Sequence, residues 1–388
     1  MPDASSTWPA GPARPPEAVT EPQVSTVALI GVGLMGGSLG MAALERARSA
    51  EVRGFSQTQA TLGLALERGA ITHACESLEE AVTGADLVFV CTPVRLVARH
   101  VKAALAAAPP HAVVTDVGST KGPLMRSLSP DEQRRCIGGH PLCGSESAGV
   151  ANARASLYHG ATYFVTPGAH VDADAYQLLY GFLGDIGARP VAVDPEEHDR
   201  VMAVVSHLPH VLANVLMSQA GQHAGARDAL LSAGPSFRDL TRIAGSNRRV
   251  WTDIFLDNRA ALLASLAQFQ EGLQEVLEAL AADDSSRLGD TIARAAEQRE
   301  RMLAAGSLPA EDLYRILIPV SDRPGVFSEI MVALGDAGIN VEDLAMHHMS
   351  AELGGTLTVY VLGRGACERA AHVLGVLGYE VSTRAEVE

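Results

Sequence analysis

The sequence predicts an α/β protein in three parts: an N-terminal Rossmann-type doubly wound sheet, an all-helical dimerisation domain, and a C-terminal ferredoxin-like βαββαβ module. Three observations lead there. A glycine-rich turn follows a short apolar run near the start. Short apolar runs then alternate with helical segments as far as Val193. From Asp194 the texture becomes wholly helical, and a second, smaller α/β pattern closes the chain.

The first element is Val27 to Ser38, in which Gly31, Gly33 and Gly36 fall at the G-x-G-x-x-G spacing just after a strand-like run. Gly31 allows a tight turn, Gly33 lets the backbone approach a pyrophosphate, and Gly36 lets the following helix pack close to the strand. Unpaired N–H groups at the helix start, with the helix dipole, favour the pyrophosphate there. Strands are expected at Val27–Ile30, Val52–Phe55, Leu87–Cys91, Val113–Asp116, Tyr163–Thr166 and Pro190–Val193. Ser77 and Glu80 have capping-box spacing. Ligands of such sheets bind beyond the carboxyl ends of the strands. The expected cofactor residues are therefore Gly31, Gly33, Leu34, Met35 and Gly36, then Ser56, Thr92 and Pro93. Gly118-Ser119-Thr120-Lys121 follows another strand end. Ser56 stands where an acid normally holds the ribose of NAD, and no Arg or Lys follows closely to take a 2′-phosphate. NAD is the expected cofactor, and NADP stays open.

A chain of 388 residues with 47% hydrophobic content can build two or three cores. A net charge of −15 without a Lys/Arg cluster argues against nucleic acid and anionic membrane as partners. Five scattered cysteines without C-x-x-C spacing point to reduced thiols and a cytoplasmic protein, not to disulfides or zinc. No stretch is expected to reach the length of a membrane span. Residues 1–22, rich in Pro, Ala and Ser, are expected to form a disordered tail, followed by the dinucleotide domain at 23–193.

The helical domain is expected at 194–308. Asp194 is a good N-cap, with Pro195 at the first helical position. From Trp251 to Leu280, residues Leu262, Leu266, Phe269, Leu273, Val276 and Leu280 form one apolar helix face. Leu288, Ile292 and Ala296 continue the helical character. Such a block either builds an intersubunit core, giving a homodimer, or packs within its own chain. Gly306 to Pro309 reads as a linker. The last module, 312–388, has strands at Leu313–Val320, Ile339–Met349, Thr356–Leu362 and Tyr379–Thr383. Its helices are expected at Pro324–Leu334 and Cys367–Leu377.

His140 lies between two glycines and Pro141, where an imidazole has little helical or core reason to be. It suits a general base near neutral pH, the other reading being a hydrogen-bonded loop histidine. His207 and His210 are three apart and would share a helix face. With no third ligand in sight no metal site is expected, and Pro209 should bend that helix. Arg242 sits where a guanidinium could hold a carboxylate, or could pair with Asp239.

Taken in order, these motifs resemble the prephenate dehydrogenase family, with its arogenate-using relatives. The match is carried by Gly31–Ser38, Asp116–Lys121, Gly139-His140-Pro141 through Gly149, Ser206–His210, and Phe237–Asn247 followed by Trp251–Phe255. The resemblance implies NAD-linked oxidation of prephenate to 4-hydroxyphenylpyruvate. In that role His140 takes the proton of the C4 hydroxyl and Ser119 orients it. Arg242 binds a carboxylate, His210 and His207 line the pocket, and Glu146 and Asp239 are supporting or gating carboxylates. The tail resembles an ACT domain through Ser321-Asp322-Arg323-Pro324-Gly325 and Gly338-Ile339-Asn340. That resemblance implies a tyrosine effector near Asp322, Arg323, Gly325, Ile339 and Asn340. A β-hydroxyacid dehydrogenase would need a lysine in the helical domain, and the sequence after Asp194 has none. A non-catalytic sensor on the same domains would have no use for Ser119, His140 and Arg242 together.

Overall fold

The computed structural model describes residues 24–144, 148–222, 233–306, 313–321, 323, 325–341, 343–350 and 354–385. Residues 1–22, Glu146 and Asp322 lie outside this set. The chain divides into two compact units, Met1–Glu271 and Gly272–Glu388.

The first unit is built on eight strands: β1 Thr26–Ile30, β2 Glu51–Phe55, β3 His73–Cys75, β4 Leu87–Val90, β5 Val113–Asp116, β6 Cys136–Pro141, β7 Thr162–Pro167 and β8 Arg189–Ala192. They pair in the order β3-β2-β1-β4-β5-β6-β7-β8. This is a Rossmann-type order with a switch point between β1 and β4. The sheet departs from the expected all-parallel form at one place, where β7 runs antiparallel to β6 with His140 opposite Phe164. Two strands have no counterpart in the sequence reading. Only Cys75 of the three residues in β3 is buried, so no apolar run announces it. β6 carries two glycines and a proline, the composition of a turn, yet it is a strand.

Along β1 the side chains alternate between two cores, as a pleated strand requires. Val27 and Leu29 join Leu39, Phe89, Ile137, Tyr163 and Phe182 on one face. Ala28 and Ile30 join Val88, Val90, Val101 and Leu105 on the other. The covering helices are α1 Leu34–Glu45, α2 Gln59–Glu67, α3 Leu78–Val82, α4 Val94–Ala107, the short α5 Gly122–Arg126 and α6 Pro130–Gln133, and α7 Ala173–Asp185. The box expected at Ser77 is half made. Its hydroxyl accepts from the Glu80 amide at 3.1 Å, but the Glu80 carboxylate turns to the Glu76 amide at 2.7 Å. The complete box is at Ser129 and Glu132.

Asp194 caps α8, Pro195–Met202, accepting from the amides of Glu196 and Glu197. Just before Pro209, where a bend is expected, lies a π-helical turn, Ala203–His207, in which the Leu208 amide donates to the Ala203 carbonyl before α9, Leu208–Gln222, continues through the proline. The joined run Pro195–Gln222 has 28 residues and contains an 18-residue window of mean hydropathy 1.5, so by length and composition it could cross a membrane, contrary to the sequence expectation. His207, Pro209 and His210 interrupt the apolar pattern and hide its length. The expected helix from Trp251 is two helices, Arg248–Asp257 and Arg259–Ala281, broken at Asn258. There the Asn258 amide donates to the Asp199 carbonyl at 2.8 Å instead of facing water. Along the second helix Leu262 is buried, but Phe269 is 41% exposed.

In the second unit a helix spans Ser285–Gly306. The tail forms an antiparallel sheet of β9 Leu313–Val320, β10 Asp343–Ser350, β11 Gly354–Leu362 and β12 Ser382–Ala385, ordered β10-β11-β9-β12. With helices Val326–Asp336 and Arg364–Val376 this gives the βαββαβ path, around a core that includes Ile316, Ile318, Ile330, Leu357, Val359 and Leu374. Its first helix starts after Gly325, in a left-handed N-cap at φ +89°, and not at Pro324. Strand β10 starts at Asp343 and not at Ile339, because Ile339 is drawn into the core and its amide caps the Leu334 carbonyl.

Candidate active site

The glycine turn fits a dinucleotide. Gly31 sits at φ +101°, and a side chain there would lie 2.8 Å from the Cys91 carbonyl. One at Gly36 would collide with the Gly31 carbonyl. Gly33 caps α1 and has open space beside it, so ligand atoms can approach the helix N-terminus. Ser56 follows β2, and Thr92 and Pro93 follow β4, the two neighbours of β1 in the sheet. Leu34 and Met35 pack partly into the core, and the Met35 carbonyl accepts from Tyr158 at 2.9 Å.

Beyond β5 a buried polar cluster ties the Ser119 loop to β6. Asp116 and Lys121 form an ion pair with no exposed side-chain surface. The Asp116 carboxylate also accepts from the amides of Gly118 at 2.8 Å and Gly139 at 3.0 Å, while Lys121 donates to the Gly139 carbonyl at 2.6 Å. Thr120 donates to Asp257 at 2.5 Å. Ser119 is thus bracketed by anchored neighbours, and His140 directly follows the anchored Gly139.

His140 does not stand alone. Its Nδ1 is 2.9 Å from Nε2 of His198, whose Nδ1 is 2.8 Å from the Asp199 carboxylate. Burial, with His198, Lys121 and His207 nearby, holds the His140 imidazole well below the usual histidine range, so it is neutral at physiological pH. Burial alone would raise Asp199. The His198 hydrogen bond and the Lys121 and Gly122 amides outweigh it and keep the carboxyl ionised. The sequence reading missed both His198 and Asp199. Within Glu196-Glu197-His198-Asp199 they read as solvated first-turn residues, and only the facing loop buries them.

His207 and His210 part company despite their spacing. His207 is buried against Asn258, 3.1 Å from its amide, and is pushed down to about 4, chiefly by burial. His210 stacks on Trp251 with ring centroids 3.3 Å apart and 20° between planes, and its Nδ1 donates to the Ser206 carbonyl at 3.1 Å. Burial lowers its basicity and the Arg242 charge lowers it further, against the Ser206 carbonyl. Arg242 and His210 are therefore neighbours. Asp239 is exposed on the helix Pro235–Thr241, just before Arg242. Asn247 N-caps the next helix through the amides of Arg249 and Val250. A cavity of about 640 Å³ opens beside it, lined by Gly245 to Arg249, Thr252 and Asp253.

In the tail, Arg323 pairs with Glu329 at 2.6 Å and donates to the Tyr379 hydroxyl at 3.3 Å. Gly325 caps the helix, Ile339 is in the core, and Asn340 follows it.

A glycine turn at the switch point of a Rossmann-type sheet, with a neutral, half-buried histidine three strands along from β1, defines a nucleotide-binding dehydrogenase. Sequence models of the prephenate dehydrogenase nucleotide-binding domain and dimerization domain match residues 39–192 and 194–294. The chain belongs to the prephenate dehydrogenase family. It is 30% identical to the Bacillus subtilis prephenate dehydrogenase over 341 residues, covering 86% of this chain and 91% of the relative. It is 33% identical to the Zymomonas mobilis cyclohexadienyl dehydrogenase over 266 residues, 68% of this chain and 90% of the relative. The crystal structure of A. aeolicus prephenate dehydrogenase in complex with hydroxyphenyl propionate and NAD+ aligns with a TM-score of 0.67 at 29% identity. The alignment covers 72% of this chain and 98% of that one.

Proposed function

We propose that the chain oxidises prephenate to 4-hydroxyphenylpyruvate and CO₂, with NAD as the preferred hydride acceptor. The observation that carries this reading is the neutral, half-buried His140 on β6, beside the anchored Ser119 loop. When bound, the dinucleotide supplies the acceptor for the C4 hydride. His140 takes the proton of the C4 hydroxyl as the C4 carbonyl forms, and Ser119 orients that hydroxyl. The ring is then a vinylogous β-keto acid. Its C1–carboxylate bond breaks, CO₂ leaves, the electron pair enters the ring as it becomes aromatic, and the proton on His140 returns to the phenolate oxygen. Arg242 binds a substrate carboxylate, and His210, held on Trp251, lines the same pocket. Glu146 and Asp239 are supporting carboxylates. His207 acts through Asn258 more than by touching substrate, a narrower role than the resemblance implied.

Residues 194–308 serve as the dimerisation domain of a homodimer. The outward apolar face of helix Arg259–Ala281 and the 22% burial of the hydropathic window in Pro195–Gln222 both suit a partner surface. Residues 312–388 serve as an ACT-type regulatory module with tyrosine as effector, taken up near Asp322, Arg323, Gly325, Ile339 and Asn340. The βαββαβ order supports this, and unchanged kinetics with no tyrosine binding at saturation would remove it.

The deciding experiment is initial-rate absorbance at the nicotinamide band, pairing prephenate and arogenate each with NAD and NADP. Turnover of prephenate with NAD is expected. Turnover of arogenate alone would move the substrate within the family, and no turnover from a folded, cofactor-binding protein would sink the proposal.

A further inference from the structure

We infer that His198 and Asp199 are positioning residues that keep the proton of neutral His140 on Nδ1, leaving Nε2 as the atom that takes the substrate hydroxyl proton. The inference rests on the reading of His140 as the base. It follows from the direction of the hydrogen bonds along the chain His140, His198, Asp199. Asp199 is an anchored acceptor: the Lys121 amide donates to one carboxylate oxygen at 2.8 Å and the Gly122 amide to the other at 2.8 Å. A carboxylate so placed has no proton to give, so the His198 nitrogen 2.8 Å away must carry one on Nδ1. On this assignment His198 is singly protonated, and with its one N–H committed to Asp199 its Nε2 is a bare acceptor. The atom 2.9 Å from it, Nδ1 of His140, is then the donor, and Nε2 of His140 is bare in turn. His198 is fully enclosed, with the Phe164 ring set edge-on 5.5 Å away, so water offers it no alternative partner.

The same chain serves the proton-loaded state. When Nε2 of His140 gains the hydroxyl proton, Nδ1–H keeps its acceptor and the new charge faces the Asp199 carboxylate through His198. Among the described residues, the other charged or titratable groups around it are Lys121, neutralised by Asp116, and the neutral His207. Asp199 also fixes the amides just after Ser119 and Thr120, so one carboxylate sets both the tautomer of the base and the loop that orients the substrate hydroxyl. This is the logic by which a buried aspartate holds a histidine in a catalytic triad, here extended by one imidazole.

Two measurements on the full chain test it. In ¹⁵N-histidine-labelled protein above pH 8, the His140 signal, identified by its loss in His140→Asn, should show Nδ1 protonated and Nε2 bare. An Nε2–H tautomer would overturn the inference, and because this reads the resting protein, it holds or fails independently of whether prephenate is turned over. The second compares His198→Gln, whose side-chain carbonyl can still accept from His140, with His198→Phe, which cannot. Steady-state rates with prephenate and NAD should show kcat falling roughly 10²- to 10⁴-fold in the phenylalanine variant, with KM for NAD unchanged. The glutamine variant should stay within about tenfold of the parent, with the acid limb of its kcat/KM profile retained. Equal losses in both variants would overturn the inference. Should His198→Phe fail to fold, the tautomer measurement decides.

Discussion

Lys121 and Asp116 are bonded to each other and, from opposite ends, to the carbonyl and the amide of Gly139, the residue before His140. The pair fixes where the β6 strand presents its histidine. Lys121→Met should leave an uncompensated buried carboxylate and cost about 3–5 kcal/mol, read as a lower urea midpoint. Replacing both partners, Lys121→Met with Asp116→Asn, should cost less than Lys121→Met alone. A single variant as stable as the parent would show that the pair is dispensable.

Stability should depend on pH through His207. Its pKa, about 4 in the folded protein against an ordinary value near 6.5, means that the unfolded chain binds the proton more readily. Stability should therefore fall as pH drops from about 6.5 to about 4, by on the order of 3 kcal/mol from this group. His207→Gln, which keeps a partner for Asn258, should flatten that slope in unfolding titrations at pH 7, 5.5 and 4.5. An unchanged slope would assign the dependence elsewhere, with His140 the next candidate.

Activity should respond to pH in the same direction. A base must be unprotonated to act, and His140 is held well below its ordinary range. The acid limb of kcat/KM for prephenate should then lie below pH 6.5, with a plateau at neutrality. A limb centred above pH 7 would contradict the assignment of His140.

The apolar face of helix Arg259–Ala281 bears on assembly. Phe269, Leu273 and Leu280 are 41%, 49% and 59% exposed, although the residues follow a core-like spacing. Phe269→Glu combined with Leu273→Glu should shift the chain from dimer to monomer in sedimentation velocity. A dimer that survives both changes would place the interface on another face.

What the sequence disclosed and what it withheld divide along physical lines. Gly31 and Gly36 were legible because their tasks are local: a positive φ and a close helix approach leave few other residue choices. Asp194 was legible as a cap for the same reason. Strand β6 was not, since Gly138, Gly139 and Pro141 have turn chemistry and only the neighbours β5 and β7 make them a strand. His198 and Asp199 were hidden because their partners are 58 and 78 positions away, and nothing in a local pattern marks an acidic first turn as buried. Of His207 and His210, spacing placed both on one helical run, but the π turn and Trp251 give them different surroundings, one buried against Asn258 and the other stacked on the indole.

That turn, Ala203–His207, has one further consequence. A π turn is geometrically a helix carrying one surplus residue, and each residue advances a helix by about 100°. Deleting a single residue there would remove the surplus and restore a regular α turn, leaving His210 and everything after it near the present azimuth, whereas the same deletion elsewhere in the run would swing them by about 100°. A lineage could thus gain or lose a residue at this turn and keep the ring of His210 stacked on Trp251, so an alignment gap at Ala203–His207 would mark no change in what that histidine meets.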